Sequence, residues 1–211
     1  MQTKKPNKAT IKEQVYGIIK EMILSQEYQL GEKINIDTLA ANLNVSNSPI
    51  REALTMLEKQ GLVENLPSVG FRVISFSPTT YSDICSTLLI IVSGAYELCL
   101  RQNTVSLAVE GMRKNLQAQK NIIDSIDMHA ALKYALAFDK CIVSATQNAY
   151  LLSVYERMED IFFLMALHIH QRSQEDHTQN IYEHSMILES IEKNDTVAAK
   201  EWLLVHYNKH I

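Results

Sequence analysis

Three ionisable side chains in the second half of the chain fall on helix faces that are otherwise apolar: Asp139, His184 and His206. Each has aliphatic or aromatic neighbours three or four residues away, the spacing that places residues on one face of a helix. Burying a charge without a partner is costly, so we expect the three groups to meet one another, a metal or a ligand. Two imidazoles and one carboxylate suit Zn, Ni, Mn or Fe, so the three residues form a candidate divalent-metal site.

Two other roles are open for these residues. A lone histidine on an apolar face is more often a hydrogen-bonded core residue, and Asp139 could pair with a buried basic group. The three groups could also form the 2-His-1-carboxylate centre of a metal-dependent enzyme. The sequence has no nucleophile elbow, phosphate-binding loop or HExxH motif to accompany such a centre, so we expect no enzyme.

A second group of polar residues follows the tight connection at residues 44–46. Apolar residues spaced at i, i+3, i+4 and i+7 must face a core: Ile50, Ala53, Leu54 and Leu57. The opposite face then contains Asn47, Arg51, Thr55 and Glu58. Polar residues in the first turns of an exposed helix, where the amides attract phosphate, have the geometry of a helix-turn-helix recognition helix. A solvated surface role for Arg51 is the alternative, because residues 1–76 have 9 basic and 8 acidic residues and strong DNA binders are usually basic.

The elements that position these residues follow from proline, glycine and hydrophobic period. Prolines stand at positions 6, 49, 67 and 78, and the remaining 133 residues have none, so that stretch is predicted to be helical. We predict six helices there, at 80–101, 104–123, 128–146, 149–172, 180–193 and 196–209. Asp127 and Asp195 are expected to cap helix N-termini, and Asn148 and Asn194 to end helices.

The first part is predicted to contain helices at 11–25 and 37–43, a third helix that ends near residue 60, and a hairpin with strands at 62–64 and 71–74. Either Ser46 or Ser48 could cap the start of the third helix. Asp37 is expected to cap the second helix, and Gly61 to end the third. The hairpin is a candidate wing, because Gly70 lets the backbone come close to a phosphate and Arg72 can bind one. The predicted fold class is mainly α: a winged helix-turn-helix with a small hairpin at residues 1–75, a linker at 76–80 and an all-helical domain at 81–211.

Composition limits the function classes and the compartment. Apolar residues make up 46% of the chain and charged residues 21%, a globular balance that argues against disorder. The three cysteines form no C-x-x-C pair and the N-terminus has no apolar signal segment, so we expect reduced thiols in a cytoplasmic protein. The charge-free run from Ile84 to Tyr96 has 13 residues. A membrane span needs about 20, so this run predicts a buried helix or an oligomer interface.

Residues 39–54, LAANLNVSNSPIREAL, followed by Gly61-Leu62-Val63, resemble the winged helix of the GntR family of bacterial transcription regulators. The pattern V-S-x-x-P-[VI]-R-E-A-L is highly specific for that family. Residues 30–34 are similar to its approach turn, although the family commonly has proline where Leu30 stands. The resemblance spans about residues 11–75. The helical second part looks like the FCD domain of the FadR-type branch.

This resemblance implies a homodimer that binds a short palindromic operator in double-stranded DNA and responds to a small effector. It assigns DNA contacts to Ser46, Ser48 and Arg51, and the wing tip to Gly70. Asn47 departs from the arginine that the family usually has at this position. Arginine reads guanine bidentately whereas asparagine prefers adenine, so the resemblance does not fix the target sequence.

FCD domains often bind a divalent metal through D-x-x-x-H on one helix and two further histidines. His184 and His206 match the two further histidines, whereas Asp139 stands where the family has histidine and Ala135 where it has aspartate. One ligand is therefore exchanged and one is missing, and a domain that only dimerises is the alternative to a sensing one.

The implied effector pocket contains the same three residues together with Thr87. Thr87 and Ile91 stand where the family frequently has arginine and glutamate. We therefore expect a more apolar pocket than the family usually has.

Overall fold

Two units make up the chain, Met1–Ser75 and Phe76–Ile211. The computed structural model describes residues 10–123, 127–169 and 174–208. The first unit has three helices and a hairpin: α1 (Ile11–Leu24), α2 (Ile36–Leu43), α3 (Asn47–Gln60), β1 (Val63–Leu66) and β2 (Gly70–Val73). Within the described residues the second unit has six helices: α4 (Pro78–Gln102), α5 (Ser106–Asn121), α6 (Met128–Ala145), α7 (Ala149–Ile169), α8 (Gln174–Glu192) and α9 (Thr196–Asn208). The predicted fold class is confirmed.

Side-chain caps set the start of the first two helices. Thr10 and Glu13 form a capping box at α1, with the Glu13 amide donating to the Thr10 hydroxyl at 3.2 Å. Helix α2 begins after Asn35, whose Oδ1 accepts from the backbone N–H of Thr38 at 3.1 Å. The prediction that Asp37 caps α2 is wrong, because Asp37 lies inside its first turn.

Helix α3 begins after Ser46 and ends at Gly61, in agreement with the sequence pattern. Gly61 has φ 83°, the left-handed conformation that glycine adopts without steric cost. The apolar stripe of α3 is fully buried: Ile50, Ala53, Leu54 and Leu57. Because that stripe faces the core, the opposite face of α3 is directed to solvent.

The hairpin pairs its strands antiparallel, with Val63 opposite Val73. Gly70 begins β2 with φ 92°. The segment before α2 joins this hairpin, because the backbone N–H of Ile34 donates to the carbonyl of Phe71 at 2.9 Å. The approach to α2 and the hairpin are therefore held together.

The helices of the second unit follow the predicted order with shifted ends. Helix α4 begins at Pro78, because the Ser77 hydroxyl accepts from the backbone N–H of Thr80, so the helix includes part of the segment predicted as a linker. Helix α8 begins at Gln174 rather than at 180. Its polar first turns have no apolar period that would have predicted them.

The connection between α6 and α7 differs from the prediction. Gln147 takes the left-handed position, with φ 54°. Asn148 accepts from the backbone N–H of Leu151 at 3.1 Å, so it caps the start of α7 rather than ending α6. The prediction was wrong because asparagine favours both positions. The other three predicted helix ends are as expected: Asp127, Asp195 and Asn194.

One apolar cluster in the second unit draws residues from all six helices. Helix α4 contributes Leu88, Val92 and Tyr96, which are buried, whereas Ile90 on the same helix is 71% exposed. The segment Thr79–Gln102 is long and apolar enough to cross a membrane by length and composition alone, a test that core helices of soluble proteins also pass. The apolar run of α4 is therefore divided between core and surface.

Helices α5 and α6 come close at Gly111. A Cβ atom on Gly111 would lie 2.7 Å from the Sγ of Cys141, closer than side-chain atoms approach in folded proteins. The lack of a side chain at residue 111 therefore permits the spacing of these two helices.

Candidate nucleic-acid interface and candidate metal centre

The start of α3 presents to solvent the residues predicted to read DNA. Ser46 precedes the helix in an extended conformation, and its hydroxyl makes no capping hydrogen bond. Asn47, Ser48 and Arg51 follow on the first two turns, and all four side chains are exposed. The first amides of a helix favour anionic groups, so this end of α3 suits a phosphate together with base edges.

The polar side chains of this surface differ in their contacts. The Asn47 carboxamide donates from Nδ2 to Oδ1 of Asp37 at 2.8 Å. The Ser48 hydroxyl donates to Oε1 of Glu52 at 3.3 Å. Within the part of the chain that the structure describes, the Arg51 guanidinium forms no ion pair. A ligand at Arg51 would therefore not have to displace such a pair.

The predicted wing residues lie on the hairpin. Gly70 has a positive φ, which allows the chain to turn at the start of β2. Arg72 stands opposite Glu64 across the strands, and its Nε donates to Oε1 of Glu64 at 2.7 Å. The side chain of Arg72 is 34% exposed, so a phosphate would compete with Glu64 for its guanidinium.

In the second unit, the structure brings Asp139 of α6, His184 of α8 and His206 of α9 together. One ligand atom from each residue lies within 4.8 Å of the other two. All three side chains are buried, with exposed fractions of 2%, 0% and 7%. Two donors bound to one ion at about 2.1 Å each lie at most about 4.2 Å apart, so small side-chain movements would allow a shared ion.

A hydrogen bond at Nδ1 orients each imidazole ring. His184 Nδ1 lies 2.9 Å from Oε1 of Gln119. The Nε2 of Gln119 donates to Asn180, which identifies its Oε1 as the acceptor for His184. His206 Nδ1 lies 2.8 Å from Oε2 of Glu183. Nδ1 therefore faces an acceptor in both rings, which directs both Nε2 atoms to the candidate site, as in metal-ligating histidines.

Asp139 is oriented by Tyr207, whose hydroxyl donates to Oδ2 at 2.7 Å. The same oxygen lies 3.8 Å from Nε2 of His206. Burial raises the pKa of the Tyr207 hydroxyl well above its usual range, and the charge of Asp139 raises it further. Tyr207 is therefore a protonated donor that fixes one oxygen of the carboxylate.

The donor set fits a divalent metal. Two buried carboxylates, Asp139 and Glu183, lie with two imidazoles in one core, and a divalent cation would offset the carboxylate charge. Oxygen and imidazole ligands suit Zn, Ni, Mn and Fe. Phe138 stacks on the His184 ring with centroids 4.1 Å apart and covers one of its faces.

Thr87 is half-buried on α4, and its hydroxyl donates to the backbone carbonyl of Asp83 at 2.8 Å. Its predicted contact with an effector stays a prediction. Ala135 is half-buried on α6 and has no donor atom, so it supplies no metal ligand.

Sequence reasoning missed Gln119 and Tyr207 as partners of the three residues. The burial of Gln119 could have been predicted from the sequence, since it follows Ala108, Met112 and Leu116 on the buried stripe of α5. Tyr207 had only its position beside His206. The partner of each is more than sixty residues away in sequence, so helical spacing could not pair them.

Comparisons with known proteins bear on both units. Residues 11–73 match the family described as bacterial regulatory proteins, gntR family. Residues 83–209 match the FCD domain. An HTH-type transcriptional regulator of Bacillus subtilis, YdhC, is 27% identical over 92% of this chain and 87% of its own length. The Uxu operon transcriptional regulator of Escherichia coli is 26% identical over 89% of this chain and 80% of its own length.

Solved structures share the fold. A GntR regulator from Rhodococcus sp. RHA1 has a TM-score of 0.80 at 14% identity, and the match covers 94% of this chain and 94% of the other. E. coli McbR/YncC has a TM-score of 0.76 at 15% identity, covering 96% of this chain and 95% of the other. The family matches exclude the enzyme alternative, since they describe transcription regulators. The chain belongs to the GntR family of bacterial transcription regulators and combines a GntR DNA-binding domain with an FCD domain.

Proposed function

We propose that this regulator binds a palindromic operator in double-stranded DNA as a cytoplasmic homodimer, and that a small effector bound in the helical domain controls this binding. The DNA contacts come from Ser46, Asn47, Ser48 and Arg51 of the α3 start, with Gly70 and Arg72 on the hairpin. One recognition helix covers only a few base pairs. Two copies in a dimer would reach half-sites about 34 Å apart, or a multiple of that distance.

The observation that supports the DNA surface most strongly is the exposure of the α3 start above a fully buried stripe. Polar residues there have no role in the core. Arg51 stands one turn after Asn47 without an ion pair to a described residue, which suits a contact to base or phosphate.

For the sensing site we propose that Asp139, His184 and His206 hold one divalent metal. A bound metal would supply a Lewis-acid centre to which effector oxygens coordinate. Gln119 and Glu183 hold the rings so that both Nε2 atoms point to the ion, and Tyr207 holds the carboxylate. Three protein ligands leave more positions for water or effector oxygens than four would.

The convergence of three buried donors whose other polar atoms are already engaged supports this centre. A purely dimerising domain gains nothing from burying Asp139 and Glu183, since apolar residues of similar volume fill a core at less cost. Among the relatives, two are named as gluconate operon repressors and one as a probable D-xylose utilization operon repressor. Gluconate, a hydroxy acid with several oxygens, is therefore a suitable first probe.

The experiment uses the full chain after chelation and reconstitution with Zn, Ni, Mn or Fe. Metal content is measured by mass spectrometry, and the consensus operator is obtained by selection from random duplexes. We expect one metal per chain, a palindromic consensus, and an operator affinity that gluconate changes only in the metal-loaded protein. Selection of an operator by a protein that binds no metal and no effector would support the dimerising alternative instead.

A further inference from the structure

The geometry points to Asp37 and Asn47 acting as one base-reading unit, in which Asp37 orients the Asn47 carboxamide to read adenine rather than guanine. This inference rests on the proposed DNA binding by α3. Asp37 lies in the first turn of α2, and Asn47 is the first residue of α3. Their side chains are exposed on this surface and joined by the 2.8 Å hydrogen bond from Nδ2 to Oδ1.

An asparagine carboxamide prefers adenine, but the strength of that preference depends on how its oxygen and nitrogen are oriented. Adenine presents an N6 donor and an N7 acceptor in the major groove, whereas guanine presents two acceptors, N7 and O6. A carboxamide that rotates freely can turn its oxygen toward adenine or direct both Nδ2 hydrogens toward guanine. Its preference for adenine therefore depends on what fixes its rotation.

Asp37 fixes that rotation in the adenine-reading sense. One Nδ2 hydrogen of Asn47 is donated to Asp37, which leaves one hydrogen and Oδ1 for a base. One donor and one acceptor match the edge of adenine, whereas guanine requires two donors. Rotating the carboxamide by half a turn would place Oδ1 of Asn47 against the carboxylate of Asp37, where two acceptors repel each other.

The carboxylate also acts against guanine through its charge. The O6 and N7 atoms of guanine bear partial negative charge, and an acid next to the reading group disfavours them. Asp37 is a positioning residue in this arrangement, because it acts on the base through Asn47. Its position inside the first turn of α2, rather than at the cap, places it beside the start of α3.

The test is binding-site selection from random duplexes with four full-length proteins: wild type, Asn47→Ala, Asp37→Ala and Glu110→Ala. The position at which Asn47→Ala abolishes base preference defines the base that Asn47 reads. We expect wild type to prefer adenine over guanine there by about tenfold or more, and Asp37→Ala to reduce that ratio to about threefold or less. Glu110→Ala is the charge-matched control, because it removes an exposed acid of α5 in the helical unit, and it should keep the wild-type ratio.

Other results would overturn the inference. If Asp37→Ala keeps the wild-type ratio, or changes affinity equally for all sequences, Asp37 does not set the base preference of Asn47. If it alters a position that Asn47→Ala leaves intact, Asp37 contacts a base itself. In both cases the selected operator would still support the proposed DNA binding. Wild type that selects no operator would overturn the proposed function together with this inference.

Discussion

His206 and Glu183 form a hydrogen bond of 2.8 Å between Nδ1 and Oε2 in the core of the helical domain. Glu183 is only 1% exposed, and it also accepts from Nε2 of Gln179 at 3.0 Å. A carboxylate in this position makes the imidazole a stronger ligand and holds its Nε2 in one direction. Glu183 is therefore expected to affect a bound metal without touching it.

Glu183→Gln should weaken metal affinity by about 10- to 100-fold, because an amide replaces the charged acceptor that orients His206. Affinity is measured by competition with a chromogenic chelator, with circular dichroism to verify the fold. Glu189→Gln on the exposed side of the same helix is the matched control and should bind metal like wild type. Equal affinities of the two variants in a folded protein would contradict the role of Glu183.

Arg51→Ala should weaken operator binding by about 1–3 kcal/mol, since it removes a guanidinium from the exposed start of the recognition helix. A gel-shift titration against the selected operator measures the effect. Arg113→Ala is the control, because it removes an exposed arginine of the helical unit. Arg113 pairs there with Glu192, which belongs to the same unit. Unchanged affinity of Arg51→Ala, with its helical content intact, would exclude Arg51 from the interface.

His184→Ala should lower both metal content and the thermal midpoint of the metal-loaded protein. A ligand that binds only the folded state stabilises it by mass action, and a lost ligand reduces that stabilisation. The measurement compares midpoints with and without metal for wild type and variant. His168→Ala removes an exposed histidine of α7 and should keep the metal-dependent increase. A variant that retains full metal content would contradict ligation by His184.

Alkaline pH should destabilise the helical domain through its buried tyrosines. Burial raises the pKa of Tyr207 and of Tyr155 well above the usual range, and the charge of Asp139 adds to both shifts. Above about pH 10 the unfolded phenols lose protons while the folded ones keep them. The folded state then binds more protons than the unfolded state, so the free energy of unfolding falls as pH rises.

Tyr207→Phe should reduce this slope by about 1.4 kcal/mol per pH unit above pH 10. The variant lacks one phenol that keeps its proton in the folded state and loses it in the unfolded state. Urea midpoints between pH 8 and pH 11 measure the slope. Tyr155→Phe should reduce it by the same amount, which makes it a matched comparison. A slope identical to wild type in both variants would show that neither phenol stays protonated in the fold.

The protein should be a dimer in solution, with a light-scattering mass near twice 24.0 kDa at micromolar concentration. The charge-free run of α4 exposes Ile90 at 71%, and we expect the partner subunit to cover this side chain. Ile90→Asp should therefore shift the protein toward the monomer. A wild-type mass near 24.0 kDa would contradict the dimer.

Hydrophobic period was sufficient to predict α3 and its exposed residues. The stripe from Ile50 to Leu57 fixes which way Asn47 and Arg51 point, and this information is local. The same period placed Asp139, His184 and His206 inward. Hydrophobic period could not decide between two residues that are both suited to cap a helix. Asn35 rather than Asp37 caps α2, for example.

Partners distant in sequence were also beyond this reasoning. The bond between Gln119 and His184 joins α5 to α8, and that between Tyr207 and Asp139 joins α9 to α6. Each depends on how two helices are placed side by side, which periodicity within one helix does not determine. The donors of the site were therefore predictable, whereas the groups that orient them were not.

The close contact between Gly111 and Cys141 links the geometry of the candidate metal site to a residue that does not belong to it. Gln119 follows Gly111 by about two turns of α5, and Asp139 precedes Cys141 by two residues on α6. A single methyl group at position 111 would displace the Sγ of Cys141, and if the thiol could not turn away, the two helices would separate and both residues would shift. Core packing at position 111 is thus coupled to the spacing of the donor atoms at the candidate metal site.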